Sequence, residues 1–183
     1  MVWEWYAWRR EKVAACRPNA GHEALARLET SKERFLLATQ NVDGLHRLVG
    51  SKNIAELHGN IWRLRCVACG FVEETREDIA ELPPHCTCGH LLRPDVVWFG
   101  EPLPLEALAR AAEAARSSDV VLAVGTSAIV YPAASIPVLG KQAGAFVIEV
   151  NVERTPLSEL ADSVLLGEAS RVLPELCGNV AAR

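Results

Sequence analysis

The sequence has 183 residues, 50% hydrophobic and 23% charged, a composition typical of a globular protein with one substantial core. Its 23 acidic and 19 basic residues give a net charge of -4, which disfavours a nonspecific nucleic-acid binder because such proteins are usually basic. A membrane span needs about 18 consecutive apolar residues, far more than the run Val120–Val124 offers, and the opening residues MVWEWYAWRREK lack the apolar stretch of a secretory signal.

The N-terminal part of the chain predicts two helices followed by short strands. Residues 2–15, crowded with tryptophan and charge, are expected to form the first helix, and residues 21–29 the second. The apolar run Phe35–Thr39 is bounded by polar residues, as in a buried strand, and leads into the loop QNVDGLH. Two further short apolar runs flank the tripeptide HGN within residues 54–65.

A change of composition marks residues 66–89. Core aliphatic residues become rare there, and Cys, Pro, His and Thr become frequent. We therefore expect an inserted module at 66–89 within a main domain made of residues 1–65 and 90–183.

Helices and strands alternate beyond the module. The predicted elements are a helix at 104–117, a strand at Asp119–Val124, a helix within 132–143, strands at Phe146–Val150 and Val164–Leu166, and a helix at 169–178. This alternation implies an α/β fold with a parallel, Rossmann-like sheet flanked by helices. The polar loops QNVD, GTS and NVE each follow a predicted strand, so we expect them together on the rim where such sheets bind ligands.

One feature of dinucleotide-binding folds has no counterpart in the sequence. No two glycines are separated by a single residue, so the phosphate-binding pattern G-x-G-x-x-G does not occur. The sequence also opens on a predicted helix, where such a fold has a strand and a glycine-rich loop.

The strongest site signal is the pattern C-x2-C-x16-C-x-C, formed by four of the six cysteines. In a cytoplasmic protein, cysteines suggest metal binding or catalysis before disulfides. Zinc takes four ligands tetrahedrally with Zn–S distances of about 2.3 Å, which places neighbouring sulfurs about 3.8 Å apart. Four thiolates also leave no position for water, so the predicted site holds one structural zinc ion. Its ligands are Cys66, Cys69, Cys86 and Cys88.

Other interpretations of this segment remain open. His85 or His90 could replace a cysteine as a ligand. Four free cysteines are disfavoured, because two close pairs stand in a segment that is poor in core residues. A zinc ribbon could also bind nucleic acid, but its loop contains the acidic stretch EETREDIAE, which disfavours that use.

The remaining polar motifs are each compatible with a purely structural role. His58 could be a hydrogen-bonded core histidine, and Asn41 and Asp43 could cap a helix. The stretch Arg93–Glu101 could be a core strand followed by a turn.

Taken together and in this order, the motifs resemble those of the sirtuins, the NAD-dependent protein lysine deacylases. The matching segments are TQNVDGLH, ELHGN, the two cysteine pairs, RPDVVWFGE, VGTSAIVYPAA and VNVE. The resemblance extends over essentially the whole chain. It implies the cofactor NAD, acylated lysine side chains of proteins as substrates, and transfer of the acyl group to ADP-ribose with release of nicotinamide.

The resemblance also implies roles for individual residues. His58 matches the catalytic base, which takes a proton from a ribose hydroxyl. The residues that match cofactor contacts are Gln40, Asn41, Asp43, Gly125, Thr126, Ser127, Asn151, Val152, Glu153 and Ala169. The residues that match the acyl-lysine site are Val97, Trp98, Phe99 and Gly100.

The first helix resembles that of the sirtuin class that prefers succinyl-, malonyl- or glutaryl-lysine. In that class a Tyr and an Arg three residues apart bind the distal carboxylate, and Tyr6 and Arg9 have this spacing. The alternative is an amphipathic helix with Arg9 in solvent and Tyr6 partly buried.

The family's first strand, Gly-Ala-Gly loop and Gly-Ile-Pro-Asp-Phe-Arg segment have no counterpart in this sequence. Since that loop supplies backbone donors for the pyrophosphate, we expect weak or absent activity from the chain as given. The alternative is a truncated, inactive homologue that binds acyl-lysine peptides without turnover. We expect a cytoplasmic monomer with no specific nucleic-acid partner.

Overall fold

The structure is a computed structural model that describes residues 1–178. The α-helices within this range are α1 (Val2–Ala15), α2 (Ala20–Ser31), α3 (Leu45–Leu48), α4 (Leu105–Arg116), α5 (Ser135–Gln142) and α6 (Ala169–Gly178). The strands are β1 (Leu37–Thr39), β2 (Ile54–Glu56), β3 (Gly59–Cys66), β4 (Val72–Glu74), β5 (Leu92–Val96), β6 (Val120–Val124), β7 (Phe146–Asn151) and β8 (Ser163–Leu166). None of the helices in this part of the chain combines the length and the apolar character that a membrane crossing requires.

Parallel strands form the scaffold of the main domain, as the sequence predicts. β7 lies between β6 and β8, with Val121 opposite Val147 and Val150 opposite Leu165, and β1 pairs in parallel with β2. Strands β6 and β7 are the valine-rich runs of the sequence, and β-branched residues favour the extended conformation. Helices pack on these strands and bury small residues such as Ala111 and Ala115 of α4, so the predicted α/β architecture is confirmed.

A separate antiparallel sheet in the order β4-β3-β5 carries the cysteine module. β3 ends at Cys66, and β5 begins at Leu92, opposite Cys66, after the chain has passed through the module. This pairing brings the second cysteine pair close to the first. Because β4 lies inside the segment 66–89 and bonds to β3, the module shares a sheet with the main domain.

Helix α1 packs on the antiparallel sheet. Its buried positions Trp3, Tyr6 and Arg10 recur every three or four residues, which places them on one stripe of the helix. They contact a cluster that includes Ile61, Trp62 and the two buried cysteines of the module. The first helix is therefore positioned by the strands that also carry the cysteines.

The structure adds short elements that the sequence pattern does not predict. α3 is a single turn that begins after Gly44, whose φ of 72° is left-handed, and a 3₁₀-helix covers Pro156–Glu159. Neither is long enough to show a hydrophobic period. The first strand begins at Leu37, two residues after the predicted Phe35.

Candidate functional site

The three polar loops meet at one rim of the parallel strands, as predicted. Gln40, just after β1, donates from Nε2 to Oγ1 of Thr126 at 3.2 Å, and Thr126 follows β6. Asn151 at the end of β7 donates from Nδ2 to the carbonyl of Thr126 at 2.8 Å. One threonine thus joins the QNVD, GTS and NVE loops, and amide and hydroxyl groups of this kind can bind ribose hydroxyls.

The GTS loop turns sharply through two left-handed residues. Gly125 has φ 59° and Ala128 has φ 55°, and the amide of Ala128 is held by Oγ1 of Thr126 at 3.2 Å. A left-handed conformation is costly for a residue with a Cβ, and such strain is concentrated at functional sites. Ser127, between them, is exposed and open to a ligand.

The predicted adenosine contacts lie beside the same rim. Val152 and Glu153 are exposed, and the side chain of Asn151 accepts the amide of Val152 at 2.9 Å. The carbonyl of Asn151 accepts the amide of Gly167 at 2.8 Å, which brings the loop before α6 to this position. Ala169 is the first residue of α6.

His58 is half-buried at the junction between β2 and β3. Its Nδ1 is 3.0 Å from the carbonyl oxygen of Gln40. Because a carbonyl can only accept, Nδ1 carries the hydrogen and Nε2 remains free to accept a proton. The histidine is thus fixed in the tautomer that a general base requires, next to the first predicted cofactor loop.

The positions of Asn41 and Asp43 are compatible both with a structural role in the turn and with contact to a ligand. The amide of Asn41 is held by Oγ1 of Thr39 at 3.1 Å, and its side chain is exposed. One carboxylate oxygen of Asp43 accepts the amide of Leu45 at 2.9 Å, so Asp43 closes a local turn just before α3, whose N-cap is Gly44. This bond also fixes the carboxylate beside the rim.

The segment that matches the acyl-lysine site is hydrogen-bonded to the catalytic segment. The amide of Val97 donates to the carbonyl of His58 at 3.0 Å, and Gly59 pairs with Val96. Trp98, Phe99 and Gly100 are exposed. A peptide that lies along this segment would be held next to the base.

An ion pair that the motif analysis leaves without a role fixes this exposed turn. Arg93 donates to both carboxylate oxygens of Glu101, at 2.6 and 3.0 Å, and its guanidinium lies 3.8 Å from the ring centre of Trp98. Hydrogen bonds from Arg93 and from the amide of Trp98 lower the pKa of Glu101 to about 2. The two residues stand eight positions apart at the ends of RPDVVWFGE, and opposite charges bracketing an exposed apolar stretch could have indicated the clamp.

Tyr6 and Arg9 occupy different environments on α1. Tyr6 is buried, and its hydroxyl accepts a hydrogen bond from Nε1 of Trp98 at 2.7 Å. Arg9 is exposed, with its guanidinium 5.1 Å from the ring centre of Trp5, and Trp5 in turn meets Tyr6 edge-on at 4.8 Å. Three positions along a helix correspond to a turn of about 300°, so Arg9 falls at the solvent edge of the stripe that buries Tyr6.

The four cysteines of the predicted zinc site come together. Their sulfurs all lie within 4.8 Å of one another, with Cys66 to Cys88 at 3.5 Å and Cys69 to Cys86 at 3.7 Å. These separations match the sulfur spacing of about 3.8 Å around tetrahedral zinc. Neither His85 nor His90 belongs to the group, so the four-cysteine ligand set is favoured over one that includes a histidine.

Electrostatics within the cluster also favour a cation. Backbone amides of Cys69 and Ala68 donate to the sulfur of Cys66 and lower its pKa to about 6. The backbone amide of His90 lowers the pKa of Cys88, but the crowded sulfurs of Cys66 and Cys86 outweigh it and raise this pKa to about 12. A divalent ion would remove that repulsion by binding all the sulfurs as thiolates.

Buried charges behind His58 are a second feature that the motifs did not predict. Glu56 is buried and accepts hydrogen bonds from Arg47 at 3.0 Å, Arg63 at 2.6 Å and Asn60 at 2.7 Å. Burial alone would raise the pKa of Glu56, but these donors outweigh it and the pKa is lowered. The network fixes both ends of the ELHGN turn that carries His58.

Comparison with known proteins gives consistent matches over the chain. The sequence profile of the Sir2 family matches residues 1–132. NAD-dependent protein deacylase 2 of Pyrobaculum aerophilum is 53% identical over 184 residues, which cover 100% of this chain and 74% of that protein. A crystal structure of a Sir2 homolog–NAD complex superposes with a TM-score of 0.92 at 47% identity, over 97% of this chain and 70% of that one. A structure of Sir2 bound to acetylated peptide has a TM-score of 0.86 at 30% identity, over 94% and 74% of the two chains.

Proposed function

The chain belongs to the Sir2 family, and from this premise we propose that it removes acidic acyl groups, as well as acetyl groups, from lysine side chains of proteins. The coarser activity, NAD-dependent protein deacylation, follows from its relatives, which bear that name at about 50% identity. The same relatives favour an enzyme over an inactive binding protein.

NAD supplies the ADP-ribosyl group that accepts the acyl group, and nicotinamide is released. The residues of this chain orient and activate the reactants. Nε2 of His58, left free to accept by the hydrogen bond from Nδ1 to the carbonyl of Gln40, takes the proton of a ribose hydroxyl. Asn41 and Asp43 flank this position and hold the nicotinamide side of the cofactor.

The cofactor's ribose and adenosine parts fit the polar rim. Gln40, Thr126 and Asn151 already bond to one another there, so their amide and hydroxyl groups are oriented before a ligand binds. Such preorganised donors bind with a smaller loss of side-chain entropy. The exposed residues Ser127 and Glu153 extend the rim on either side.

The observation that carries the acyl preference is the hydrogen bond between Trp98 and Tyr6 at 2.7 Å. It brings the hydroxyl of Tyr6 to the wall of the acyl-lysine segment, where the far end of an acyl chain would arrive. A tyrosine hydroxyl can donate to a carboxylate while it accepts from the indole.

Arg9 supplies the charge for an acidic acyl group. Within the described residues its guanidinium makes no ion pair or hydrogen bond, only the contact with Trp5. It can therefore rotate toward a carboxylate beside Tyr6 and bind it with two parallel hydrogen bonds. An acetyl group offers no carboxylate, so this contribution is specific to acidic acyl groups.

The test compares succinyl- and acetyl-lysine peptides of one sequence with NAD. Removing a charge-assisted bidentate contact costs about 1.5–3 kcal/mol, so Tyr6→Phe with Arg9→Met is expected to lower kcat/KM for the succinyl peptide by about tenfold or more. The acetyl peptide should be turned over as before. Lys12→Met, which removes a positive charge from the same helix, is the matched control. Equal loss on both peptides would refute the acyl preference and leave the deacylase activity standing.

A further inference from the structure

Trp62 is enclosed between two arginines from different parts of the chain. It lies on β3 with a side chain that is 2% exposed. The guanidinium of Arg10 on α1 is 4.9 Å from its ring centre, and that of Arg76, in the loop between the cysteine pairs, is 4.7 Å away. Such cation–π contacts stabilise the ring at a fixed position between the helix and the module.

The polar edge of the same ring holds the loop that binds nicotinamide. Nε1 of Trp62 donates to the carbonyl of Asp43 at 2.6 Å. The backbone amide of Ile61, the residue before Trp62, donates to the carbonyl of Val42 at 2.9 Å. A methyl group at Gly44 would lie 2.9 Å from the guanidinium of Arg76 and 3.1 Å from the ring of Trp62, so the loop is in close contact with both.

The module segment beside Trp62 is held from both sides. The amide of Thr75 donates to the carbonyl of Trp62 at 2.8 Å. Arg10 donates to the carbonyls of Thr75 at 2.8 Å and Glu77 at 3.0 Å. Arg76, between those two residues, is thereby directed onto the indole face. The ends of this loop are the cysteine pairs, so the bound metal fixes the loop that carries Arg76.

We propose that Trp62 is a positioning residue through which the zinc module orders the nicotinamide loop, residues 40–44. The inference rests on the proposed roles of Asn41 and Asp43. It assigns the zinc module an effect on cofactor binding through Arg76, the indole and the carbonyl of Asp43. The zinc ion itself takes no part in the chemistry.

If Trp62 only filled the core, loss of its N–H would not specifically loosen residues 40–44. Trp62→Phe keeps an aromatic ring beside the two arginines and removes the donor to Asp43, and the measurements in other regions below detect any effect of the smaller ring. Arg76→Met keeps an unbranched apolar stem at an exposed position and removes only the guanidinium. Arg116→Met, at an exposed site on α4, is the control for loss of an arginine.

Hydrogen exchange of the ligand-free protein tests the proposal without requiring turnover. Loss of a buried hydrogen bond favours local opening of the loop, so Trp62→Phe is expected to speed exchange of peptides covering residues 40–48 about tenfold. Exchange in α6 should not change. Zinc chelation should speed exchange of 40–48 in the wild type, and the additional change should be small in Arg76→Met. Unchanged exchange of this loop in Trp62→Phe, or equal chelation effects in Arg76→Met and Arg116→Met, would overturn the inference.

Kinetics then separate this inference from the proposed function. Trp62→Phe is expected to raise KM for NAD severalfold and to weaken inhibition by nicotinamide, with KM for the acyl peptide unchanged. A protein inactive in all variants would contradict the proposed function, whereas the exchange result would still decide the role of Trp62. An equal rise in both KM values would indicate a general packing defect and refute the positioning role.

Discussion

At the scale of single residues, Gly59 shows why the base is followed by a glycine. Its φ is 79°, and a Cβ at this position would lie 2.0 Å from the carbonyl oxygen of Asp95. The strand β5 thus approaches the backbone so closely that only glycine fits. That approach also allows the amide of Val97 to reach the carbonyl of His58 at 3.0 Å.

Gly59→Ala is therefore expected to be among the more damaging small substitutions in the chain. The left-handed conformation costs about 1–2 kcal/mol for a residue with a Cβ, and the clash with rigid backbone adds about 1–3 kcal/mol. Denaturant titration should show the corresponding fall in midpoint. Gly144→Ala is the matched control, because Gly144 has φ 98° but no atom within 4 Å of the added carbon. Equal losses in the two variants would show that β5 moves aside and that the close approach is not required.

Residue roles differ in how far the sequence could predict them. The clustering of the four cysteines was predictable because metal ligands need particular side chains at particular spacings, and the role of His58 stays a prediction made on the same grounds. Arg10 and Trp62 were not, because their functions depend on carbonyl groups 51 to 67 positions away for Arg10 and 19 positions away for Trp62. A buried arginine that bonds only to backbone leaves no complementary charge for a sequence pattern to reveal.

At the scale of elements, the turn 97–101 is held by charge. It follows β5 and carries the exposed side chains of Trp98 and Phe99. Glu101 accepts hydrogen bonds from Arg93 and from the amide of Trp98 at 2.9 Å, which closes the turn from both ends. Together with the bonds from Val97 to His58 and from Trp98 to Tyr6, these bonds define the shape of the turn.

Glu101→Gln is expected to raise KM for acyl-lysine peptides with a smaller effect on kcat. The neutral amide pairs less strongly with Arg93, so the turn that receives the peptide is less ordered before binding. Steady-state kinetics on one peptide series measures this change. Glu106→Gln, an exposed carboxylate at the start of α4, is the control. A change confined to kcat would contradict a role in ordering the peptide site.

The same ion pair gives the turn a defined dependence on pH. The pKa of Glu101 is lowered from 4.5 to about 2, so its contribution to stability is complete above pH 4.5. That contribution is lost as the pH falls from 4.5 toward 2, because the unfolded chain takes up the proton first. In Glu101→Gln this part of the acid response should be absent when tryptophan fluorescence is followed across that range.

The long elements agree with the sequence because each corresponds to a run of residues long enough to be recognised. α1 and α6 have the predicted bounds, and β6 and β7 lie within one residue of theirs. α3 follows a turn closed by Asp43, and the 3₁₀-helix depends on a cap formed by Thr155. Caps of this kind act over two or three residues, which is too short a pattern to separate from an ordinary turn.

At the scale of the whole molecule, His58, the proposed base, lies where two kinds of sheet meet. β2, which precedes His58, pairs in parallel with β1 of the cofactor rim, and β3, which follows it, pairs antiparallel with β5 of the substrate segment. One histidine is therefore anchored to both binding surfaces. The buried network around Glu56 stabilises this junction, and breaking such a network by removing one partner costs about 3–5 kcal/mol.

The zinc site secures the antiparallel half of this arrangement. Cys66 and Cys86 belong to the same buried cluster as Trp3, Tyr6 and Trp62, so a zinc ion bound by these cysteines would support the helix that carries Tyr6 and Arg9. The parallel strands β6, β7 and β8 pack elsewhere, around residues such as Val150 and Leu173. Removal of zinc should therefore speed hydrogen exchange in the antiparallel sheet and α1, while strands β6, β7 and β8 keep their protection from exchange.

Thiol reactivity provides a quantitative test of the metal site in the whole protein. Of the six cysteines, four are the proposed zinc ligands, Cys16 is exposed, and Cys177 is buried with a pKa raised by burial. A thiol reagent should therefore modify one cysteine rapidly in the zinc-loaded protein, five after chelation and all six after denaturation, because a metal-bound thiolate is shielded and the buried Cys177 is inert. Metal analysis should give one zinc per chain, and Cys88→Ser should lower this content. The count in Cys16→Ser should fall by one in each state. Rapid modification of several cysteines in the zinc-loaded protein would show that the four sulfurs do not form a closed site. That result would also contradict the proposed support of α1 by the zinc site.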